Sequence, residues 1–394
     1  VYLSIPREVL CEEIPTEGLG AAPGMAPART APDPQAIATL AGWLAEAEAP
    51  LVVAQRGAGD EASFAAFSDW AEDWGVAVCS WWATHLAIPT DHPCHVGADP
   101  GPWLEKADVV MILDCLAPWQ PDIHRPKPGA KIANVGPDPL FSRFPVRNFR
   151  SDLSITGENA TTIPALISAM EGLPRDDAKL ATRRAALADA TARMRRSLAE
   201  AAVPKGGRIT KAQASHALGR ALEGLPATVF SELGTNLGTI SRREPRSWFQ
   251  EPHSGGLGWS FPAALGAQLA APERICVATM GDGSYIFANP AACHQIAEAL
   301  ELPVLVVILN NGEWGAVRAS VSGLYPDGAA SQANRMPLTN LEPTPDFTRY
   351  AEASRAWARL VEDPEALDAA IAEALRVIQE ERRCALLEVR VSGG

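Results

Sequence analysis

The sequence lacks an apolar stretch long enough to cross a membrane. Its cleanest run, Leu302–Leu309, falls far short of the ~20 residues that a spanning helix needs. It also lacks excess positive charge. Lys and Arg number 34 against 47 Asp and Glu, a net charge of −13, which argues against a nucleic-acid binder and against adhesion to anionic membranes. There are seven cysteines, an odd number, and no C-x-x-C pair, so neither a disulfide framework nor a cysteine-rich zinc site is expected. Cys79, Cys115, Cys276 and Cys384 fall in apolar runs and read as buried free thiols of a reducing cytoplasm. No repeat of 20–50 residues is present, and the only low-complexity stretch is the Ala/Pro-rich run before Asp33. The chain does not open like a signal peptide. It opens Val-Tyr-Leu-Ser-Ile-Pro without a methionine, which reads as a strand lacking neighbours and leads to the expectation of a fragment of a longer protein.

What is present is a long alternation of helical and strand patterns. Helical periodicity over 35–48 and 62–74 is interleaved with apolar runs at Pro50–Gln55, Val76–Cys79, Ala107–Leu113 and Ala130–Val135, and a helix over Thr161–Met170 closes this first series. Asp176–Ala202 is rich in Ala, Leu and Arg without Gly or Pro and reads as one long bridging helix. A second series then places strands at Ala227–Ser231, Arg274–Met280, Pro303–Leu309, Ala356–Leu360 and Cys384–Val391. Its helices fall at Thr210–Leu222, Trp259–Ala271, Pro290–Leu300, Thr344–Ala353 and Pro364–Glu380. Such alternation predicts an α/β chain of two doubly wound, mainly parallel sheets. The expected division is a terminal piece and linker over 1–34, a Rossmann-like domain over 35–172, a linker helix over 173–205 and a second α/β domain over 206–394.

Two turns in the second domain carry chemistry. The run Arg274–Met280 ends in Gly281-Asp282-Gly283-Ser284, and the run Pro303–Leu309 ends in Asn310-Asn311-Gly312. The 26 residues between Gly283 and Asn310 suffice for one crossover helix between parallel neighbours. Both turns are then expected at carboxyl ends of adjacent strands, where open α/β sheets bind ligands. Asp282 and Asn311 offer hard oxygen ligands for Mg²⁺, with a backbone carbonyl just after Asn311 as a third. Gly281 and Gly283 permit close approach of a phosphate, and backbone N–H groups beyond each turn would stabilise its charge.

The G-D-G…N-N arrangement resembles the fingerprint of thiamine diphosphate (ThDP) enzymes. The segments Ser254–Ala267 and Asn310–Arg318 are similar to those of benzoylformate decarboxylase and acetolactate synthase. Tyr2–Leu10 looks like the end of that family's pyrimidine-binding (PYR) domain, residues from about 35 to 172 like its central domain, and residues from about 206 onward like its diphosphate-binding (PP) domain. The resemblance implies Mg²⁺ held by the side chains of Asp282 and Asn311 and the carbonyl of Glu313. It implies a diphosphate cradle from Gly234, Thr235, Asn236, Gly283, Ser284, Trp314 and Gly315. Leu257 matches the apolar wedge that bends the cofactor into a V, with the Gly255 carbonyl and the Leu257 N–H on the aminopyrimidine edge. The family's activating glutamate lies in the PYR domain, outside this chain, and the cofactor lies between two subunits, so a homodimer or homotetramer is implied. Where pyruvate decarboxylase relatives carry a glutamate, this chain has Val317.

The function this implies is a ThDP- and Mg²⁺-dependent lyase or transferase. It would break or form a carbon–carbon bond next to a carbonyl in a 2-oxoacid or related substrate. The alternatives are an acetolactate synthase-like acyl transferase, a cofactor-binding fragment inactive without its PYR domain, or an NAD-binding protein built on the first domain. FAD is not expected, because Arg56-Gly57-Ala58-Gly59 holds only part of a dinucleotide loop. His253 is the candidate general acid or base, and the polar run Glu251–Ser254 hints at a polar substrate. His124, after the strand Ala107–Leu113, is a second histidine candidate. His92 and His95 flank Cys94 without a fourth metal ligand, and Trp70, Trp74, Trp81 and Trp82 read as packing.

Overall fold

The computed structural model describes residues 3–20, 24, 27–204 and 206–392. The apolar runs become buried strands because a sheet covered on both faces needs no polar alternation. Five of them, β1 (Pro50–Arg56), β2 (Ala77–His85), β3 (Val109–Leu113), β4 (Lys131–Gly136) and β5 (Leu153–Thr156), form one parallel sheet in the order β2-β1-β3-β4-β5. Six more form a second parallel sheet in the order β10-β11-β9-β8-β6-β7. These are β6 (Ala227–Glu232), β7 (Trp248–Gln250), β8 (Ile275–Gly281), β9 (Leu305–Asn310), β10 (Trp357–Val361) and β11 (Ala385–Arg390). The expected fold class, two doubly wound parallel sheets, is what the chain adopts.

Local signals set the helix ends. Asp33, Asp60 and Asp176 each accept a backbone N–H from the first turn of the helix that follows, at Pro34–Glu46, Glu61–Trp74 and Asp177–Ala201. Gly75 ends the second of these in the left-handed conformation. The long helix Asp177–Ala201 spans from one sheet to the other. Arg183 on it donates to the Trp74 carbonyl beside the first sheet, and Leu198 packs at Gly238 beside the second.

The sequence reading departs from the structure in a few places. Leu3–Pro6 form no strand and are exposed, and a four-residue helix follows at Arg7–Leu10, while Val1 and Tyr2 lie outside the described residues. The helix expected over Pro364–Glu380 is three pieces: a 3₁₀ turn at Pro364–Ala366, an α-helix at Leu367–Arg376 and a π turn at Val377–Glu381. The strands β5 and β7 and the helix Gly315–Leu324 were not anticipated. Cys79, Cys115, Cys276 and Cys384 are buried and unpaired, as expected. No helix among the described residues is long and apolar enough to cross a membrane.

The second sheet has a topological switch point at β6. The chain leaves β6 toward β7 on one side and returns to β8 on the other. A ligand crevice is expected outside the carboxyl ends of strands at such a point. The loop leaving β6 runs onto the helix Lys211–Ala221 at close range. A Cβ on Gly219 would lie 2.0 Å from the Thr239 carbonyl oxygen. Helix propensity alone favours alanine over glycine there by ~1 kcal/mol. Overpacking against a fixed carbonyl costs ~1–3 kcal/mol and acts in the opposite sense. Gly219→Ala is therefore expected to lower the melting temperature, and a melting temperature equal to or above wild type would show that this approach is not tight.

Candidate functional site

Three strand ends build the site. β8 and β9 are parallel neighbours with Gly281 opposite Leu309, which sets Asp282 beside Asn310 and the turn that follows. Asp282 is the first residue of a short helix, Asp282–Phe287, and is 1 % exposed. Its Oδ2 accepts the Gly312 N–H at 2.9 Å, tying the two turns together. It makes no ion pair among the described residues, and burial lifts its carboxyl to about 6. Asn310 points inward: its Oδ1 accepts the Gly312 N–H at 3.0 Å and its Nδ2 donates to Glu388 at 2.8 Å. Asn311 and Glu313 lie on the same turn. Asn311 Oδ1 accepts the Glu313 N–H at 3.3 Å, and the Glu313 carbonyl accepts the Gly315 N–H at 2.9 Å.

A buried carboxylate outside any ion pair, beside an amide oxygen and a backbone carbonyl on the turn after the next strand, is a donor set suited to a hard divalent ion. No group of three or more His, Cys, Asp or Glu gathers among the described residues, here or elsewhere, so the donor set rests on one carboxylate with amide and carbonyl oxygens. The Glu313 side chain is turned away to Arg318, 3.1 Å distant. A Cβ on Gly283 would lie 2.1 Å from the Trp314 ring, so this glycine lets the indole lie across the turn after β8. Ser284 is buried on the same short helix, and Gly315 opens the helix Gly315–Leu324.

The loop after β6 joins these turns. Gly234 packs against the Thr279 backbone, 2.5 Å from where its Cβ would be. Thr235 bonds Thr279 through its hydroxyl at 3.1 Å. Asn236 donates its N–H to Ser215 at 3.1 Å and caps the following turn through Gly238 at 3.0 Å. Gly234, Thr235, Asn236, Gly281, Asp282, Gly283, Ser284, Asn311, Glu313, Trp314 and Gly315 thus belong to one end of one sheet. Gly255 and Leu257 are on an exposed loop. Gly258 seats that loop, because its φ is +84° and a Cβ would lie 2.6 Å from the Phe287 and Ala288 backbone.

The histidines stand elsewhere. His253 stacks on Trp82 with ring centroids 5.4 Å apart, and burial, then the nearby Arg56, hold it below its ordinary value. Both effects favour the neutral ring. His124 is engaged by Asp99 at 3.3 Å and lies edge-on to Trp81. His92 contacts Glu72, Cys94 Sγ donates to the Ala71 carbonyl and His95 bonds Ser80, so these three hold the fold and form no metal set. The Arg56–Gly59 turn is packed against the helix Asn159–Glu171. Asn159 donates to the Gly57 carbonyl at 2.9 Å, and Arg56 pairs with Asp114 at 2.9 Å.

Two acidic residues flank this site, and sequence reading missed the first of them. Glu232 ends β6, is fully buried, and accepts backbone N–H groups from Gly258 at 2.6 Å and Ser260 at 2.8 Å. Glu251 does not present its polarity outward. It is buried beside Leu233, whose N–H it accepts at 3.4 Å, and burial together with the neighbouring Glu232 charge pushes its carboxyl up to about 7.

The raised value fixes the sign of a pH effect. The folded state prefers Glu251 protonated, so its contribution to stability is full below the unfolded value near 4.3 and fades as pH rises to about 7. Glu251→Gln is expected to gain stability over wild type between pH 5 and pH 8, on the order of 1–3 kcal/mol. Parallel melting curves for the two proteins across that range would refute the assignment.

Comparisons with known proteins point to one class of enzyme. Residues 233–389 match the thiamine pyrophosphate enzyme, C-terminal TPP-binding domain. The chain is 28 % identical over 384 residues to a probable 2-ketoarginine decarboxylase of Pseudomonas aeruginosa, covering 93 % of this chain and 62 % of that protein. It is 36 % identical over 152 residues to the acetolactate synthase isozyme 3 large subunit of Escherichia coli, covering 38 % of this chain and 24 % of that protein. The chain thus spans less than two thirds of the length of these relatives. In fold it is similar to a ThDP-dependent 4-hydroxybenzoylformate decarboxylase of Rhodococcus jostii, with a TM-score of 0.71, 22 % identity and coverage of 95 % of this chain and 67 % of that one. Residues 233–389 therefore match the thiamine pyrophosphate enzyme C-terminal domain, in a chain similar to decarboxylases and acetolactate synthases.

Proposed function

We propose that this chain is the cofactor-holding part of a ThDP- and Mg²⁺-dependent enzyme that decarboxylates a 2-oxoacid. The observation that carries the reading is the buried carboxylate of Asp282, in no ion pair among the described residues and clasped to the turn of Asn311. Asp282 and Asn311 would ligate Mg²⁺ by side chain and Glu313 by its carbonyl. Gly283, Ser284, Gly234, Thr235, Asn236 and the backbone at Trp314–Gly315 would line the diphosphate. When bound, ThDP supplies a carbanion-forming carbon and an electron sink for bond cleavage next to a carbonyl. The chain's own contribution is charge neutralisation at the metal, fixed placement of the diphosphate, and an apolar Leu257 under the pyrimidine. Decarboxylation is favoured over acyl transfer because, of the relatives matched along nearly the whole chain, the probable 2-ketoarginine decarboxylase is 28 % identical and a probable acetolactate synthase large subunit of Methanocaldococcus jannaschii 24 %, while the Escherichia coli acetolactate synthase match covers only 38 % of the chain. An acetolactate synthase-like transfer is the second reading, resting on the higher identity of that shorter match.

The site would be completed by another protein surface. The helix Gly315–Leu324 buries none of its residues although it carries Val317 and Leu324, and Phe287 beside it is also exposed. A second copy of the full-length protein, presenting its PYR domain, fits this surface. Sedimentation of the active full-length protein should show a dimer or tetramer, and full activity in a monomer would contradict the arrangement.

Titration calorimetry separates metal from wedge. Asp282→Ala or Asn311→Ala in the full-length protein should abolish Mg²⁺-dependent ThDP binding, since each removes one of two side-chain ligands. Leu257→Ala should retain the metal and diphosphate contacts but lower kcat in pyruvate or 2-ketoarginine decarboxylation assays, with cofactor affinity nearly unchanged. Leu257 is 38 % exposed in this chain, so its removal costs less stability than a core leucine. Unchanged ThDP affinity in both metal-site variants would refute the metal assignment. A folded Leu257→Ala protein with wild-type turnover would refute the wedge.

A further inference from the structure

We infer that Glu232 is a positioning residue whose carboxylate fixes the Gly255–Leu257 loop in the shape that receives the cofactor's pyrimidine end. The inference rests on the ThDP reading of the site. It starts from an anomaly of burial. Glu232 is 0 % exposed at the last position of β6, yet no Lys, Arg or His pairs with it among the described residues. An unpaired buried carboxylate is costly and is retained only where other dipoles solvate it. Here the two oxygens divide the work: Oε1 takes the Gly258 N–H and Oε2 takes the Ser260 N–H. Ser260 opens the helix Ser260–Ala270, so the carboxylate also faces the positive end of that helix.

The rest of the loop has little else to hold it. Ser254, Gly255, Gly256 and Leu257 are exposed, and nothing lies within 4 Å of where a Cβ would be on Gly255 or Gly256. One turn bond closes it, from the Gly255 N–H to the Pro252 carbonyl at 3.0 Å. Its C-terminal anchor is Gly258, pressed on the backbone at the end of the helix Asp282–Phe287 that begins with the metal-site aspartate. Glu232 therefore grips the loop at the residue where it touches the Asp282 helix. The same β6 end leads directly into Leu233 and the Gly234–Asn236 loop. One side chain thus sets the spacing between the diphosphate end and the pyrimidine end of the site without touching either.

The test uses the full-length protein and two probes, Mg²⁺ with inorganic pyrophosphate and Mg²⁺ with ThDP. Glu232→Gln keeps the shape but sets an amide N–H₂ against one of the two backbone donors. It is expected to bind pyrophosphate like wild type, to bind ThDP about tenfold more weakly, and to exchange the amides of 255–260 faster. Glu232→Asp keeps the charge and is expected to restore part of the ThDP affinity. Wild-type ThDP affinity in Glu232→Gln would overturn the inference. So would an equal loss of both probes, which would make Glu232 a general support of the domain. If Glu232→Gln does not fold, Glu232→Asp decides alone: selective weakening of ThDP supports the role, and unchanged or equally weakened binding of both probes overturns it. If wild-type protein binds neither probe, the ThDP reading itself fails, which is a different outcome.

Discussion

The hydrogen bond from the Gly312 N–H to Asp282 Oδ2, at 2.9 Å, is the contact on which the site depends. It joins the ends of two parallel strands that are otherwise held only by their ladder, which stops at Gly281 and Leu309. Beyond that point each chain must turn, and turns that diverge cannot share a metal. The bond keeps them together, and it does so by using one oxygen of a carboxylate that burial has already made difficult to ionise. A cation is the natural remedy for that difficulty. Stability is spent on holding the acid in place, and ligand binding recovers it.

The same logic extends through the second sheet. The switch point at β6 opens a crevice, the Thr235–Thr279 bond closes one wall of it, and the Glu232 carboxylate holds the other. Each of these is a polar group buried at a strand end, and each is satisfied by backbone or hydroxyl partners instead of by an opposite charge. Buried polar groups that are fully satisfied fix geometry as well as energy. The first sheet contributes differently. Its Trp82 stacks on His253 of the loop that follows β7, so the two sheets meet near the site without sharing its ligands.

Much of this was legible in the chain. The Asp282 and Asn311 turns follow strongly apolar runs, and their spacing leaves room for one helix, so strand adjacency followed from topology alone. The short strands β5 and β7 were not legible, because four and three residues carry too little pattern. The helix Gly315–Leu324 escaped because it is built from Gly, Ala, Ser and Val and has no buried face to impose a period. Glu232 escaped for a different reason. An acid closing an apolar strand looks like a surface residue, and its partners are backbone N–H groups that leave no mark in a sequence. Glu251 was read as part of a polar run, and burial turned it inward, while His253, the candidate general acid or base, stacks on Trp82.

The Trp314 indole lies where a side chain on Gly283 would be, and it meets Phe287 edge-on with ring centroids 5.5 Å apart. A chromophore is thereby laid across the turn proposed to line the diphosphate. Any group arriving there changes the polarity and the freedom of that ring. Trp314, one of the eleven tryptophans of the chain, is consequently an optical probe of occupancy, and the difference in emission between wild type and Trp314→Phe reports on the turns after β8 and β9 without substrate or turnover.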